Sequence, residues 1–134
     1  MSATDLPQSP NYKRGVELVR EMLGEPFLAG MQAAAGSGAF AADTATIAFE
    51  SAFGAVWSRP GLDRKTRSLI TLAALTAMVR PNQLRIHVRG ALANGATREE
   101  IREVLLHTVV YAGVPAGVEA FTAAAEVFND IDSK

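Results

Sequence analysis

Two histidines are the residues of this 134-residue chain best suited to exchange protons near neutral pH. His107 precedes Tyr111 by four residues, so on a helix the imidazole and the phenol would lie side by side. His87 lies at the edge of an apolar stripe that includes Leu84 and Val88, and we expect it to face the interior. Both histidines could instead be packing residues. His87 could be a core imidazole that is hydrogen-bonded, and His107 could pack over a helix crossing or at a subunit contact.

The composition excludes several kinds of catalytic site. The chain has no cysteine, which rules out disulfides, thiolate metal sites and a cysteine nucleophile. Two histidines supply at most half of an ordinary tetrahedral zinc site, and no glycine-rich phosphate-binding loop is present. We therefore expect neither a metal nor another cofactor. Without a signal peptide or a long apolar stretch, a cytoplasmic protein with no membrane contact is expected.

Positive charge is concentrated in the middle of a chain whose net charge is −1. From Arg59 to Arg102 there are eight arginines and one lysine against three acids, Asp63, Glu99 and Glu100. This segment could form paired, solvated faces of helices, or it could bind a small anion. Nucleic acid is not expected, because the total charge is negative and no basic patch is interleaved with aromatic residues.

The elements that must position these residues are predicted to be helices throughout a single domain, 1–134. Asp63 is a predicted N-cap, Thr97 and Glu100 a capping box, and Asn94-Gly95 a helix stop. Because the connection at 94–96 is short, we expect the helices on either side of it to form a hairpin that brings both imidazoles to one cavity. The predicted helices span residues 11–23, 26–35, about 43–57, 64–78, 82–93, 98–112 and 115–129.

Three long stretches resemble the carboxymuconolactone decarboxylase family. They are VWSRPGLDRKTRSLITLAALTA (56–77), LRIHVRGALANGATREEIREVLLH (84–107) and VYAGVPAGVEAF (110–121), and YKRGVELVREMLGE (12–25) also fits. The resemblance covers nearly the whole chain and is weakest over 27–53. It implies an all-α, compact helical bundle of the alkylhydroperoxidase D-like type, assembled as a homo-oligomer, either a trimer or a hexamer.

One segment separates this chain from the peroxidase branch of that fold. The peroxidases use a CxxC followed by a histidine, and the matching segment here is RPNQLRIH (80–87). Arg80 and Gln83 stand where the cysteines would be, and His87 matches the histidine. The missing thiols argue against peroxidase chemistry. The decarboxylases usually have Glu where this chain has Gln83, which leaves the substrate open.

The resemblance implies loss of CO₂ from 4-carboxymuconolactone, giving 3-oxoadipate enol-lactone in protocatechuate breakdown. The electron sink lies in this small anionic lactone itself, so no cofactor is needed. His87 and His107 would then handle the proton and the developing oxyanion. The side chains expected to bind the substrate are Arg67, Arg80, Arg89 and Tyr111, the arginines because their planar guanidinium groups bind carboxylates.

Two other interpretations remain open from the sequence. One is an isomerase or other lyase that uses the same proton-transfer site on a related anionic lactone or ring. The other is a non-catalytic member that keeps the helical scaffold. Gln83 favours both slightly, whereas the two histidines together with the arginines favour an enzyme.

Overall fold

A computed structural model describes residues 8–134, and every regular element within them is a helix. The all-α prediction is therefore confirmed. None of the helices in this range is long and apolar enough to cross a bilayer. The elements are α1 (Pro10–Leu23), α2 (Glu25–Ala35), α3 (Ala42–Ile47), a π-helix (Ala48–Trp57), α4 (Arg64–Ala77), α5 (Pro81–Ala93), α6 (Arg98–Ala112) and α7 (Val114–Asp132).

Local capping chemistry starts α4 and α6 where the sequence predicted. The carboxylate of Asp63 accepts a hydrogen bond from the Thr66 N–H at 2.7 Å. Thr97 and Glu100 form the complete capping box, each side chain accepting from the other residue's N–H at 3.0 Å. These two starts are confirmed, and they fix where α4 and α6 begin.

The helix predicted over about 43–57 has two parts. α3 ends at Ile47, and a ten-residue π-helix continues to Trp57. The capping residues and the apolar composition of this segment do not distinguish i→i+4 from i→i+5 hydrogen bonds, so the sequence did not reveal the change. The last helix also ends three residues later than predicted, at Asp132 rather than Asn129.

The chain divides into two compact units, residues up to Leu62 and Asp63–Lys134. The prediction of one domain over 1–134 stays a prediction. In the first unit α1 packs on the π-helix, and α2 and α3 complete the group. Its core is rich in aromatic rings, with the ring centroids of Tyr12 and Phe49 5.2 Å apart and those of Phe53 and Trp57 5.8 Å apart.

Two glycines let the backbones of α1 and the π-helix touch in this first unit. A Cβ atom added to Gly15 would lie 1.8 Å from the Phe49 carbonyl oxygen. A Cβ atom added to Gly54 would lie 1.9 Å from the Asn11 carbonyl oxygen. Backbone atoms cannot move aside as a side chain can, so the crossing requires glycine at both positions.

The second unit is a square of four helices. α4 and α7 each pack against both α5 and α6, while α5 and α6 lie on a diagonal with little contact. The predicted hairpin between α5 and α6 is therefore wrong. A short connection makes two helices consecutive, but burial of apolar faces decides which helices pack together, and here each pairs with α4 and α7. Large side chains in this core include Leu72, Leu84, Val88, Ile101 and Leu105.

Ion pairs connect α7 to its neighbours in the second unit. Arg85 lies 2.7 Å from Glu126, Arg89 pairs with Asp130, and two nitrogens of Arg98 contact Asp132. Part of the basic middle of the chain therefore forms paired, solvated helix faces, one of the two interpretations that the sequence allowed.

Two helices of this unit end in the same hydrogen-bond pattern with different residues at the left-handed position. Gly95 follows α5 with φ +95°, and Val79 follows α4 with φ +54°. In each case the left-handed N–H donates to a carbonyl three residues back at 3.1 Å, and the next N–H donates five residues back at 2.9 Å. This is the Schellman motif, which favours glycine at the left-handed position. Val79 is therefore a strained residue directly before Arg80.

Candidate functional site

An apolar groove between α4 and α6 contains one of the two histidines. Its volume is about 620 Å³, within the usual range for small-molecule sites. The two charged or titratable groups among its lining residues are Glu103 and His107, one helical turn apart on α6. The other lining residues are Thr66, Leu69, Ile70 and Ala73 of α4 and Val104, Leu106 and Thr108 of α6.

His107 is exposed and stacks against Tyr111, as the four-residue spacing predicted. The two ring centroids are 5.3 Å apart and the planes are inclined by 43°. Tyr111 is 80% exposed, so its hydroxyl group is open to solvent. The neighbouring hydroxyl of Thr108 donates to the Val104 carbonyl oxygen at 2.7 Å. His107 is therefore the accessible proton-exchanging group of this groove.

His87 occupies a different environment on α5. Its neighbours along the helix, Leu84 and Val88, are fully buried, and the imidazole itself is largely shielded. Burial lowers the pKa of His87 below its ordinary value of 6.5, because an apolar environment disfavours the imidazolium ion. His87 is thus neutral at pH 7 and can still donate one N–H. It does not line the groove that contains His107.

The three predicted substrate-binding arginines also lie outside that groove. Arg67 of α4 is half-buried, and its Nε atom is shielded from solvent. Arg80 is exposed, and its Nη1 donates weakly to the carbonyl oxygens of Met78 and Val79 at 3.3 and 3.5 Å. Arg89 pairs with Asp130. Within the described residues, the groove thus brings together His107 and Glu103 but none of these guanidinium groups.

Sequence reasoning missed Glu103, although a signal was present. Glu103 precedes His107 by the same four residues that separate His107 from Tyr111, so the three side chains follow one face of α6. Only the structure shows that the apolar side chains at positions 69, 70, 73 and 106 border an open groove. Gln83, which departs from the usual Glu, is exposed.

Comparison with known proteins identifies relatives of this chain. The sequence profile of the carboxymuconolactone decarboxylase family matches residues 42–126, a range that contains all six predicted site residues. The chain is 42% identical over 120 residues to the 4-carboxymuconolactone decarboxylase of Acinetobacter baylyi, covering 90% of this chain and 88% of that enzyme. It is 37% identical over 123 residues to the nitrosuccinic acid decarboxylase of Metarhizium robertsii, covering 92% and 85%. The chain belongs to the carboxymuconolactone decarboxylase family.

Proposed function

We propose that this protein is a carboxy-lyase that converts 4-carboxymuconolactone into 3-oxoadipate enol-lactone without a cofactor. The observation that supports this most strongly is the 42% identity to the Acinetobacter enzyme over nearly the full length of both chains. The second relative is named for a different acid but also for a decarboxylation. Both named substrates have two carboxyl groups and a group that can accept the electron pair left by CO₂. The reaction class is therefore better supported than the individual substrate.

The chemistry requires one bond cleavage and one proton delivery. When the bond between the ring carbon and the carboxylate breaks, CO₂ leaves and its electron pair moves through the ring double bond onto the lactone carbonyl oxygen. The resulting dienolate then takes a proton at the ring carbon next to that carbonyl. The protein must hold two carboxylates, stabilise the oxyanion and supply the proton.

The two histidines suit different parts of this reaction because their environments differ. His87 is neutral and largely shielded, and a neutral imidazole N–H can stabilise an oxyanion without giving up its proton. His107 is exposed in the apolar groove and can exchange protons with water between turnovers. We assign oxyanion stabilisation to His87 and proton delivery to His107. Because the two side chains do not line one groove within a chain, we propose that a neighbouring subunit completes the site.

The arginines and Tyr111 are proposed to bind the substrate carboxylates. Arg67 is the first choice, since a half-buried guanidinium acts through a lower effective dielectric than an exposed one. Within residues 8–134, the hydrogen bonds of the Arg80 side chain are two long ones to carbonyl oxygens, so it can turn towards a carboxylate. Arg89 would have to leave Asp130 first.

We further propose that the protein is a cytoplasmic homo-oligomer, a trimer or a hexamer, with each chain forming one domain. Support comes from exposed apolar side chains around the end of α6 and the start of α7, including Val110 (78% exposed), Val114 (65%) and Val118 (59%). A patch of this kind is typical of a subunit contact. Light scattering that shows only monomer at micromolar concentration would overturn this proposal.

The direct test is incubation with freshly prepared 4-carboxymuconolactone, following both CO₂ release and formation of the enol-lactone. An isomerase would give a product that keeps both carboxylates, so absence of CO₂ would contradict the proposal. His87→Asn and His107→Asn are each expected to lower kcat by at least ~100-fold. Arg67→Ala should lower kcat/KM by about ten- to a hundredfold, through loss of a charged hydrogen-bond donor.

Arg85→Ala is the matched control for these variants. It removes a guanidinium group of the same unit that already pairs with Glu126, so activity should stay near that of the wild type. Circular dichroism confirms that each variant keeps its helices. If both histidine variants turn over normally, the assigned mechanism is wrong even if the reaction is right.

A further inference from the structure

Val79 is a β-branched residue in a left-handed conformation that the turn itself does not require. Its φ is +54°, and it lies in the Schellman motif that ends α4. Gly95 occupies the equivalent position after α5, so the same motif forms in this unit without a side chain. A strained residue of this kind persists where the rest of the structure or a function requires it. The valine side chain therefore calls for an explanation beyond the turn.

Packing within the chain accounts for only part of this residue. Val79 lines a small cavity together with Leu84 of α5 and Ala116 of α7. It is still 43% exposed, and Met78 before it is 54% exposed. Val79 is therefore accessible to a molecule from outside the chain.

The residue that follows, Arg80, is exposed and has no carboxylate partner among residues 8–134. Its Nη1 contacts the carbonyl oxygens of Met78 and Val79 at 3.3 and 3.5 Å. Other arginines of the same unit pair with acids of α7, namely Arg85, Arg89 and Arg98. Arg80 can therefore bind the carboxylate of a ligand without first breaking an ion pair.

We propose that Val79 is a substrate-binding residue whose isopropyl group contacts the carbon skeleton of the substrate while Arg80 binds one of its carboxylates. This inference rests on the proposed function, in which Arg80 binds the lactone. The two consecutive residues place an apolar group and a guanidinium at one exposed corner of the fold, between α4 and α5. That pair matches a carboxylate attached to a carbon ring. The contact explains why a strained valine occupies a position that glycine would fill at lower cost.

Two substitutions separate the contact made by the side chain from the strain of the backbone. Val79→Ala removes two methyl groups and keeps a Cβ in the left-handed region, whereas Val79→Gly removes the contact and the strain together. Both variants should raise KM for 4-carboxymuconolactone by about three- to tenfold with little change in kcat, because each has lost the apolar contact. Val79→Gly should nevertheless melt about 3 to 6 °C above Val79→Ala, since glycine adopts the left-handed region without a steric cost.

A conservative variant and a matched control accompany these two. Val79→Ile keeps a β-branched apolar side chain and should keep the wild-type KM. Met78→Ala shortens the neighbouring exposed side chain, on a residue whose φ is −80°, and should also leave KM unchanged. A KM that rises equally in Met78→Ala and Val79→Ala would mean that the corner is merely apolar, and would overturn the inference.

A double variant tests whether Val79 and Arg80 act on the same molecule. In an Arg80→Ala background, Val79→Ala should raise KM by less than it does in the wild type, because the carboxylate is no longer held beside position 79. An equal rise in both backgrounds would mean that Val79 acts independently of Arg80, and would contradict the inference.

Two further measurements separate substrate contact from other uses of the valine. Light scattering should give the same mass for Val79→Ala as for the wild type, and a lower mass would show that Val79 packs against a second copy instead. A lower melting temperature for Val79→Gly than for the wild type would show that packing within the chain retains the valine. Either result would overturn the inference. An active wild type with unchanged KM in both variants overturns the inference alone, whereas a wild type that leaves the lactone intact overturns the proposed function and the inference with it.

Discussion

Each of the two compact units of this chain has its own kind of internal packing. In the first, α1 and the π-helix meet backbone to backbone through Gly15 and Gly54, beside a cluster of aromatic rings. In the second, four helices meet through aliphatic side chains, and ion pairs such as Arg98 with Asp132 join their outer faces. The close backbone contact of the first unit requires that two residues have no side chain, whereas the packing of the second unit requires aliphatic side chains that fill the space between helices.

This difference predicts different tolerance to substitution. A side chain that meets another side chain can change its rotamer, and the cost of a small change is spread over several contacts. A side chain that meets a backbone carbonyl displaces the helix to which that carbonyl belongs. The first unit should therefore respond abruptly to single-methyl additions at its crossing, and the second unit gradually.

Gly54→Ala is expected to have the largest effect on stability. The added Cβ would lie 1.9 Å from the Asn11 carbonyl oxygen, so α1 must move away from the π-helix. We expect a loss of about 3 kcal/mol or more in the free energy of unfolding, at the upper end of overpacking effects. Urea denaturation followed by tryptophan fluorescence measures it, since Trp57 lies in the same helix.

Gly30→Ala is the control for that variant. Gly30 is an exposed residue of α2, and an added Cβ would meet no atom outside its own helix within 4 Å, so alanine should stabilise the helix by about 0.5–1 kcal/mol. If Gly54→Ala unfolds at the same urea concentration as the wild type, the close contact does not govern the first unit.

Substitutions at the C-terminal ends of α4 and α5 should change the stability of the second unit by smaller amounts and in opposite directions. Val79→Gly removes a β-branched side chain from a left-handed backbone and should stabilise the protein by about 0.5–1 kcal/mol, after the entropic cost of glycine. Gly95→Ala places a Cβ on the equivalent residue, in open space, and should destabilise it by about 1 kcal/mol. Thermal unfolding compares the two; a loss of stability in Val79→Gly would show that the valine side chain outweighs its strain.

The two units should also differ in their response to pH. Burial raises the pKa of Tyr12 in the first unit and lowers the pKa of His87 in the second. Since the folded pKa of His87 is depressed, its contribution to stability is complete above 6.5 and is lost as pH falls from there towards the folded pKa. Hydrogen bonds lower the pKa of Asp63 and of Glu100 from their ordinary values of 3.8 and 4.5. These two carboxylates therefore change the stability of the fold only at more acid pH.

Melting temperatures measured between about pH 7.5 and about pH 5.5 report the contribution of His87 to stability, separate from that of the carboxylates. The wild type should lose stability over this interval, and His87→Asn should lose less. Parallel curves for the two proteins would mean that the shielding of His87 has no energetic consequence.

The sequence predicts the helices of the second unit and also α1 and α2 of the first, but not the π-helix or its contact with α1. Helix-end signals depend on contacts within a few residues, so they can be recognised without knowing the fold. The examples here are the N-caps Asp63 and Thr97 and the left-handed Gly95. The π-helix and the contact of Gly15 with the Phe49 carbonyl depend on residues 34 positions apart, which no local pattern encodes. The same limit explains the wrong hairpin between α5 and α6, since the choice of packing partner is not local.

The sequence predicted the surroundings of the two histidines but not the arrangement of the candidate residues. The spacing of His107 and Tyr111 predicted their contact, and the apolar flanks of His87 predicted its burial. The groove itself requires knowing that Ile70 and Leu106 border an opening rather than a core. Whether a helical apolar position is covered depends on the neighbouring helix, so the sequence shows the spacing of Glu103 and His107 but not the groove that they line.

The contact between Gly15, Gly54 and the backbone of the facing helix also restricts how this lineage can diverge. A single replacement at either position collides with a carbonyl oxygen, and a second replacement at the other position adds a collision instead of relieving the first. No stepwise route through paired substitutions therefore leads away from the two glycines. Homologues that keep this helix crossing are therefore expected to have glycine at both positions, even where the surrounding aromatic and aliphatic residues differ.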